Sequence, residues 1–277
     1  MPELPEVETV ARGLRRALLG ARIAAVEERF PGLVRGARER LEELPGCSVA
    51  VVTRAGKFLR LDLRGAELPR GRRDGPGGAE GTIALWLHLG MSGKLLVTAG
   101  AEPVARHTHF VLRFTDGREM RYVDPRRFGR VEIGGENAAA TGAEPLEIGA
   151  EDFAGLFWRR TGAIKGLLLR QDLLRGLGNI YADESLFRAG IRPRARRVSR
   201  PRLKRLHGAV RAVLAEAIRA GGSSIADYVG ADGERGWFQV RHRVYGREGK
   251  ACVACGTAIR RVVVAGRSSC YCPKCQK

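Results

Sequence analysis

The sequence of 277 residues contains no run of about 18 consecutive apolar residues, which excludes a membrane-spanning helix. Its first residues, MPELPEVETV, lack the basic and apolar regions of a secretory signal, so the expected compartment is the cytoplasm. No internal repeat is visible. Cysteine is nearly absent until the end: Cys47 stands alone, and the other five lie in the last 26 residues. In a chain expected to stay reduced, such clustering argues against a disulfide framework and for a bound metal. Acidic residues are also scarce, with 30 Asp and Glu against 49 Lys and Arg, a net charge of +19. A fold does not require that imbalance; a polyanionic partner does, because Lys and Arg displace counterions from phosphates. No basic amphipathic anchor points to a membrane surface, which leaves nucleic acid as the favoured partner.

Apolar residues make up 44% of the chain, enough for a buried core. The length suggests two domains and a small third. Val7, Val10, Ala11, Leu14 and Leu18 share one face of a helix that Pro5 starts and Gly20 stops. From residue 22 to 133 short strands follow, among them 48–53, 59–63, 82–89, 94–97, 110–114, 119–123 and 130–133, a pattern that predicts a β-sandwich. Gly65–Gly81 reads as a loop and 134–150 as a domain boundary. Beyond it the period is helical, with Leu203, Leu206, Val210, Val213, Leu214 and Ala217 on one face and Ser199 as N-cap. The expected domains are 1–134, 150–235 and 240–277, and the last is too short for an ordinary core.

The strongest local signal is Cys252-x2-Cys255-x16-Cys272-x2-Cys275. Paired knuckles at this spacing predict one closed, tetrahedral, structural Zn²⁺ site with no open position for a catalytic water. Cys270 lies two residues before Cys272 and is a competing ligand. The run 259–265 between the knuckles predicts a β-hairpin with Arg267 on its return strand.

Three further segments bear chemistry. Removal of Met1, which a small second residue permits, would expose the secondary amine of Pro2. Such an amine is partly neutral near pH 7 and can attack an electrophilic sugar carbon, with Glu3 and Glu6 close enough to move protons. Acidic residues at a helix start also serve the helix dipole, so the segment alone does not decide between these roles. In Arg175-Gly-Leu-Gly-Asn179 the two glycines allow a tight turn, and Asn179 would begin a helix able to receive a phosphate; an ordinary helix connection has the same form. His88–Gly93 and Asp124–Gly129 each join a strand to a turn. Met91, Arg126 and Phe128 could project there as a wedge for a base stack, although taken alone a buried Met and Phe with a solvated Arg fits these loops better.

Taken together, MPELPEVET, RAGKFLRL, HLGMSG, DPRRFG, QDLLRGLGNIYADESLFRAGI, VYGREG and YCPKCQK resemble the formamidopyrimidine-DNA glycosylase family from end to end. The resemblance implies an α+β multidomain fold: an N-terminal β-sandwich with a flanking helix, a helix–two-turn–helix domain, and a C-terminal β-hairpin zinc finger. It implies a monomeric repair enzyme for double-stranded DNA carrying oxidised purines or abasic sites, with DNA in a basic cleft between the halves. Pro2 would attack C1′ and Glu3 would open the sugar ring. Glu6 would support the nucleophile, Lys57 would bind phosphate and act in β-elimination, and Arg267 would act in δ-elimination. Met91, Arg126 and Phe128 would fill the void left by the extruded base. His107, Arg160, Lys165 and Asn179 would contact DNA, and Ser223, Ser224 and Tyr228 would read the lesion. Gly166, where a proline is common, Cys270, where His or Thr is usual, and the long Gly65–Gly81 loop depart from the family pattern. An endonuclease VIII-like enzyme for oxidised pyrimidines is the same-fold alternative, against which Leu4 and Phe128 speak. A non-catalytic zinc-finger DNA-binding protein is the other, against which Pro2, Glu3 and Lys57 speak.

Overall fold

The computed structural model describes residues 1–36, 38–65, 81–134, 141–223 and 236–277. By contacts the chain gathers into two units, Met1–Ala138 with Ser223–Gly236, and Ala139–Gly222 with Trp237–Lys277.

In the first unit helix α1 (Leu4–Leu18) is followed by β1 (Ile23–Glu28), β2 (Val34–Gly36), β3 (Ser48–Ala55), β4 (Phe58–Arg64), β5 (Thr82–His88), β6 (Lys94–Ala99), β7 (Thr108–Phe114), β8 (Arg118–Val123) and β9 (Arg130–Ile133). They form a four-stranded sheet, β1-β7-β8-β6, and a five-stranded sheet, β2-β9-β5-β4-β3. All pairings are antiparallel except β2 with β9. The alternation read from the sequence works as expected in β4: Leu59, Leu61 and Leu63 are fully buried, and with Leu85, Leu95, Phe110 and Leu112 from both sheets they form one core. Val7, Val10, Ala11 and Leu14 of α1 join the same core. This burial fixes the helix axis, and with it the place of the chain's first residues. Truncating any one of these leucines to alanine costs about 2–5 kcal/mol, so the helix is firmly held.

The second unit begins with α2 (Ala150–Phe157), α3 (Ile164–Leu168), α4 (Asn179–Arg188) and α5 (Arg200–Arg219), with Ser199 as the N-cap of α5. It ends in a hairpin of β10 (Arg260–Val264) and β11 (Arg267–Tyr271). The hairpin's core is small: Phe187, Val244 and Ile259 with Cys252, Cys270 and Cys272. Polar clamps from Glu184 of α4 and from Gln276 add to it. The fully buried Glu184 carboxylate accepts the backbone N–H groups of Arg243, Val244 and Tyr245 at 2.9–3.0 Å. Gln276 donates to the Ile191 carbonyl at 2.8 Å and accepts from the Cys272 N–H at 2.9 Å.

Candidate functional site

The N-terminal segment is built by capping. Glu3 is the N-cap of α1, and Glu6 reaches back so that its Oε2 accepts the Glu3 N–H at 2.8 Å, an arm of a capping box. The other oxygen, Oε1, accepts the Ser223 N–H at 2.7 Å. Pro2, Glu3, Glu6 and Lys57 are all buried. Lys57 stands in the β3–β4 turn directly after Gly56, which takes φ +58°. The α-amino group at Met1 is held below its ordinary pKa of 8.0, first by burial and then by Lys57 and Arg126, while Glu3 and Glu6 oppose the shift. The first residues thus place an amine, two carboxylates, an ammonium and a guanidinium within electrostatic reach of one another. Burial of this kind favours the neutral form of an amine over its ammonium.

The two strand-end loops meet, and the residue that joins them was not singled out from sequence. Asp124 is fully buried. Its Oδ1 accepts the Ser92 hydroxyl at 2.6 Å and the Arg126 N–H at 3.3 Å, and its Oδ2 accepts the Gly129 N–H at 2.8 Å. Gly90, at φ +58°, leaves no room for a Cβ, which would lie 2.5 Å from the Phe128 carbonyl carbon. Tyr122 donates to the His88 carbonyl at 3.0 Å, beneath Gly129. So clamped, the loops present Met91 and Phe128 at 44% and 56% exposure, and the Arg126 guanidinium lies 5.0 Å from the centre of the Phe128 ring. The buried Met and Phe that the loops alone suggested are therefore corrected: Asp124 and the glycines occupy the interior and leave the large side chains outside. His107 and Arg127 take positive φ, 68° and 57°, beside these loops, and the His107 carbonyl accepts the Asp124 N–H at 3.0 Å. Backbone of this kind persists where surrounding structure enforces it. Asp124→Ala leaves the Ser92 hydroxyl and the Gly129 N–H without their acceptor, while the Arg126 N–H keeps the Ser92 Oγ at 3.2 Å. It should lower the unfolding free energy by about 2–4 kcal/mol in a denaturant titration and cut excision more than Ser92→Ala does.

His88 is half-buried beside Phe58, and its Nδ1 accepts the Gly90 N–H at 3.1 Å. Burial, then Arg130 and Lys57, push its pKa down to about 4. The ring stays neutral at pH 7 and serves the loop as an acceptor.

In the second unit Asn179 opens α4 after the Gly178 N-cap, and its buried Oδ1 has no hydrogen-bond partner among the described residues. Gln171, which sequence reasoning missed, shapes the turn before it. Its Oε1 accepts the Gly176 N–H at 2.9 Å, and its Nε2 donates to the Leu177 carbonyl at 2.8 Å. Lys165 departs from expectation. Its ammonium is fully buried, pairs with Asp183 at 2.7 Å and donates to the Ser268 carbonyl at 2.9 Å. Asp183 Oδ2 in turn accepts the Cys270 N–H at 2.9 Å. Lys165 thus ties β11 to α4, in place of the phosphate contact expected for it. Burial raises the Asp183 pKa to about 6, although Lys165 opposes the rise. Lys165→Met leaves that carboxylate buried without a counter-charge and should cost about 3–5 kcal/mol by chemical denaturation. Lys165→Met with Asp183→Asn should recover much of the loss; a double variant no better than the single one would refute the pairing.

Arg160 is exposed, with its Nε donating to the Leu156 carbonyl at 2.6 Å, and Arg267 is exposed at the start of β11. Ser224 and Tyr228, named for lesion reading, lie outside the described residues, as does most of the Gly65–Gly81 loop; Ser223 is described and touches Glu6.

The Sγ atoms of Cys252, Cys255, Cys272 and Cys275 all lie within 4.8 Å of one another. Cys252 and Cys275 are 3.9 Å apart, and Cys255 and Cys272 are 3.5 Å apart. Tetrahedral Zn–S bonds of about 2.3 Å require S–S separations of about 3.8 Å, so the four thiols fit one structural zinc ion. Cys270 is not in this group; it is buried in the hairpin core.

A sandwich that gathers such groups at its first helix, a helical unit and a four-cysteine finger together define a zinc-finger DNA repair glycosylase. Family profiles match in the same order: the formamidopyrimidine-DNA glycosylase N-terminal domain over residues 1–131, its H2TH domain over 142–229, and the zinc finger found in FPG and IleRS over 249–277. The chain is 47% identical to a formamidopyrimidine-DNA glycosylase of Solibacter usitatus across the whole of both. The crystal structure of the MutM (FPG) protein from Thermus thermophilus is similar at 40% identity and TM-score 0.82, covering 99% of this chain and 98% of that one. A Lactococcus lactis FPG mutant in complex with a Fapy-dG containing DNA is similar at 32% identity and TM-score 0.87, covering all of both chains. The chain belongs to the formamidopyrimidine-DNA glycosylase family.

Proposed function

We propose that this chain, as a monomer, excises oxidised purines such as 8-oxoguanine and formamidopyrimidines from double-stranded DNA. It then cleaves the abasic site by β,δ-elimination through an N-terminal proline Schiff base. The observation that carries this reading is the cluster at the start of α1: Pro2, Glu3, Glu6 and Lys57 are all buried, and Glu3, Glu6 and Lys57 lie within electrostatic reach of the terminal amine.

The Pro2 nitrogen, freed of Met1, attacks C1′ of the damaged nucleotide. Glu3 protonates the sugar ring oxygen, the ring opens, and the base departs with the electrons of the glycosidic bond. Loss of a proton from C2′ of the iminium then expels the 3′ phosphate, and a second elimination expels the 5′ phosphate. Glu6 has both oxygens committed to backbone N–H groups, of Glu3 and of Ser223. Its role is to hold the nucleophile and the chain at Ser223 in register. Lys57 supplies phosphate binding and a proton in β-elimination, and Arg267 serves δ-elimination. Met91, Arg126 and Phe128 enter the stack, with Arg126 donating to the acceptors of the orphaned cytosine. His107, Arg160 and Asn179 hold phosphates; the side-chain NH2 of Asn179 is a donor, and its place at a helix start adds backbone N–H groups to that task. Ser223, Ser224 and Tyr228 belong to the segment that reads the base. Zinc holds the finger and takes no part in the chemistry.

Glu3→Gln separates the steps. It should suppress base excision far more than cleavage of a preformed abasic site, because only ring opening at an intact nucleoside needs that proton. Equal loss in both assays would overturn its role.

A further inference from the structure

A second concentration of cations lies wholly within the helical unit. Phe157 to Gly162 and Arg196 to Ser199 line a cavity of about 690 Å³ between the end of α2 and the start of α5. Four of its lining residues are Arg159, Arg160, Arg196 and Arg197, all exposed, and none forms an ion pair with a described carboxylate. Two acidic groups are paired with other cations: Asp172, which also feels the Arg160 charge, pairs with Arg170 at 2.5 Å, and Glu151 pairs with Lys204 and lies 3.9 Å from Arg200. The site is also pre-arranged. Arg159 holds φ +61°, a conformation rare for a side-chain-bearing residue. Its guanidinium lies 4.2 Å from the centre of the Trp158 ring, and that of Arg200 lies 4.1 Å from the same centre. Stacking on an indole keeps a guanidinium's donors free at its edge, the geometry that suits phosphate oxygens. Because Trp158 already carries two cations, its ring is not open to a base. α5, twenty residues long, adds an N-terminus with no acidic residue in its first turn and no side-chain cap.

We infer that this cavity binds at least two phosphates of a nucleic-acid backbone, taken up without base contact. Of these four arginines only Arg160 was expected to touch DNA; Arg159, Arg196 and Arg197 extend that single contact into a site. Guanidiniums this exposed bind a lone phosphate weakly, so a polyvalent strand is the ligand whose charge matches the cluster. The inference deepens the DNA-binding part of the proposed function, in which Arg160 already holds a phosphate, and rests on that part but not on the chemistry at Pro2.

The test uses the full-length, zinc-loaded chain and an undamaged 30-base-pair duplex, with affinity measured across a KCl series. Arg196→Gln/Arg197→Gln is compared with Arg211→Gln/Arg219→Gln, which removes the same charge from exposed positions further along α5. Loss of two phosphate contacts lowers the slope of log K against log salt by about 1.8. The affinity lost between 50 and 200 mM salt then shrinks roughly tenfold in the cavity variant, and far less in the control. Equal changes in the two variants would reduce the cavity to a share of the net charge and overturn the inference. Inorganic tripolyphosphate provides the second arm. If it binds the wild type at a site missing from the cavity variant while the DNA salt slope is unaltered, the ligand is a free polyphosphate and the nucleic-acid assignment falls.

Discussion

A chain that keeps Met1, or one acetylated at Pro2, should lose both base release and strand cleavage by at least about 10³-fold while still binding lesion-bearing DNA. In either form the Pro2 nitrogen is an amide, whose lone pair is delocalised into the carbonyl and does not attack carbon. Retained Met1 brings its own primary amine, but about 3.8 Å further along the chain. Nucleophilic attack needs reacting atoms within about 3–3.5 Å, and a displacement of even 1 Å can cost 10²-fold. The groups around the Pro2 nitrogen are fixed in place. Glu3 caps α1, Glu6 is bonded on both oxygens, and the helix is anchored in the sandwich core by Val7, Val10 and Leu14. Binding is expected to persist because Met91, Arg126 and Phe128 stand on separate loops fastened by Asp124. Single-turnover assays on lesion and abasic duplexes, beside an affinity measurement, read all three quantities. Unaltered turnover in the blocked chain would remove Pro2 from the mechanism.

The second large effect concerns the finger. Cys272→Ser should release zinc and unfold residues 240–277 while the sandwich remains folded. Only Phe187, Val244 and Ile259 join the cysteines in its core, and an isolated two-strand hairpin is marginal in water. Structural zinc contributes an apparent 10–16 kcal/mol in such modules, more than the clamps from Asp183, Glu184 and Gln276 can replace. Acid acts in the same direction as the substitution. The Cys255 thiol is lowered to about 6, first by its hydrogen bond with Thr257, whereas its neighbour Cys255 pushes Cys275 up to about 12. Zinc must displace protons from the remaining thiols, so lower pH favours metal loss. Metal analysis, proteolysis of the C-terminal segment and an assay of δ-elimination check this together, since Arg267 leaves with the hairpin. A Cys272→Ser finger that keeps its metal would make Cys270 the ligand.

Much of the scaffold was legible because its signals are local. The apolar spacing of α1, the alternation in β4, and the apolar face of α5 each name the element and its buried side. Short elements were not legible. α3 has five residues and β2 three, and β2 is set by its parallel pairing with β9, nearly a hundred residues away. The same distinction governs the site. Pro2, Glu3 and Glu6 are neighbours in sequence, and the four cysteines have diagnostic spacing. The exposure of Met91 and Phe128 depends instead on Asp124 reaching Ser92 across 32 positions, which no local pattern encodes. Lys165 failed for a related reason. Its buried partner Asp183 lies on another helix, and a lysine beside an apolar run reads equally well as a solvent-facing cation.

The measurement that tests the central claim most directly is borohydride trapping on duplexes carrying 8-oxoguanine opposite cytosine, or an oxidised pyrimidine, followed by peptide mapping. Reduction fixes an iminium as a stable protein–DNA bond. The account predicts an adduct at the amine of Pro2, formed preferentially with 8-oxoguanine. A preference for the pyrimidine would move the chain to an endonuclease VIII-like specificity. An adduct on Lys57, or none with any lesion despite tight, salt-sensitive binding, would contradict the proline mechanism.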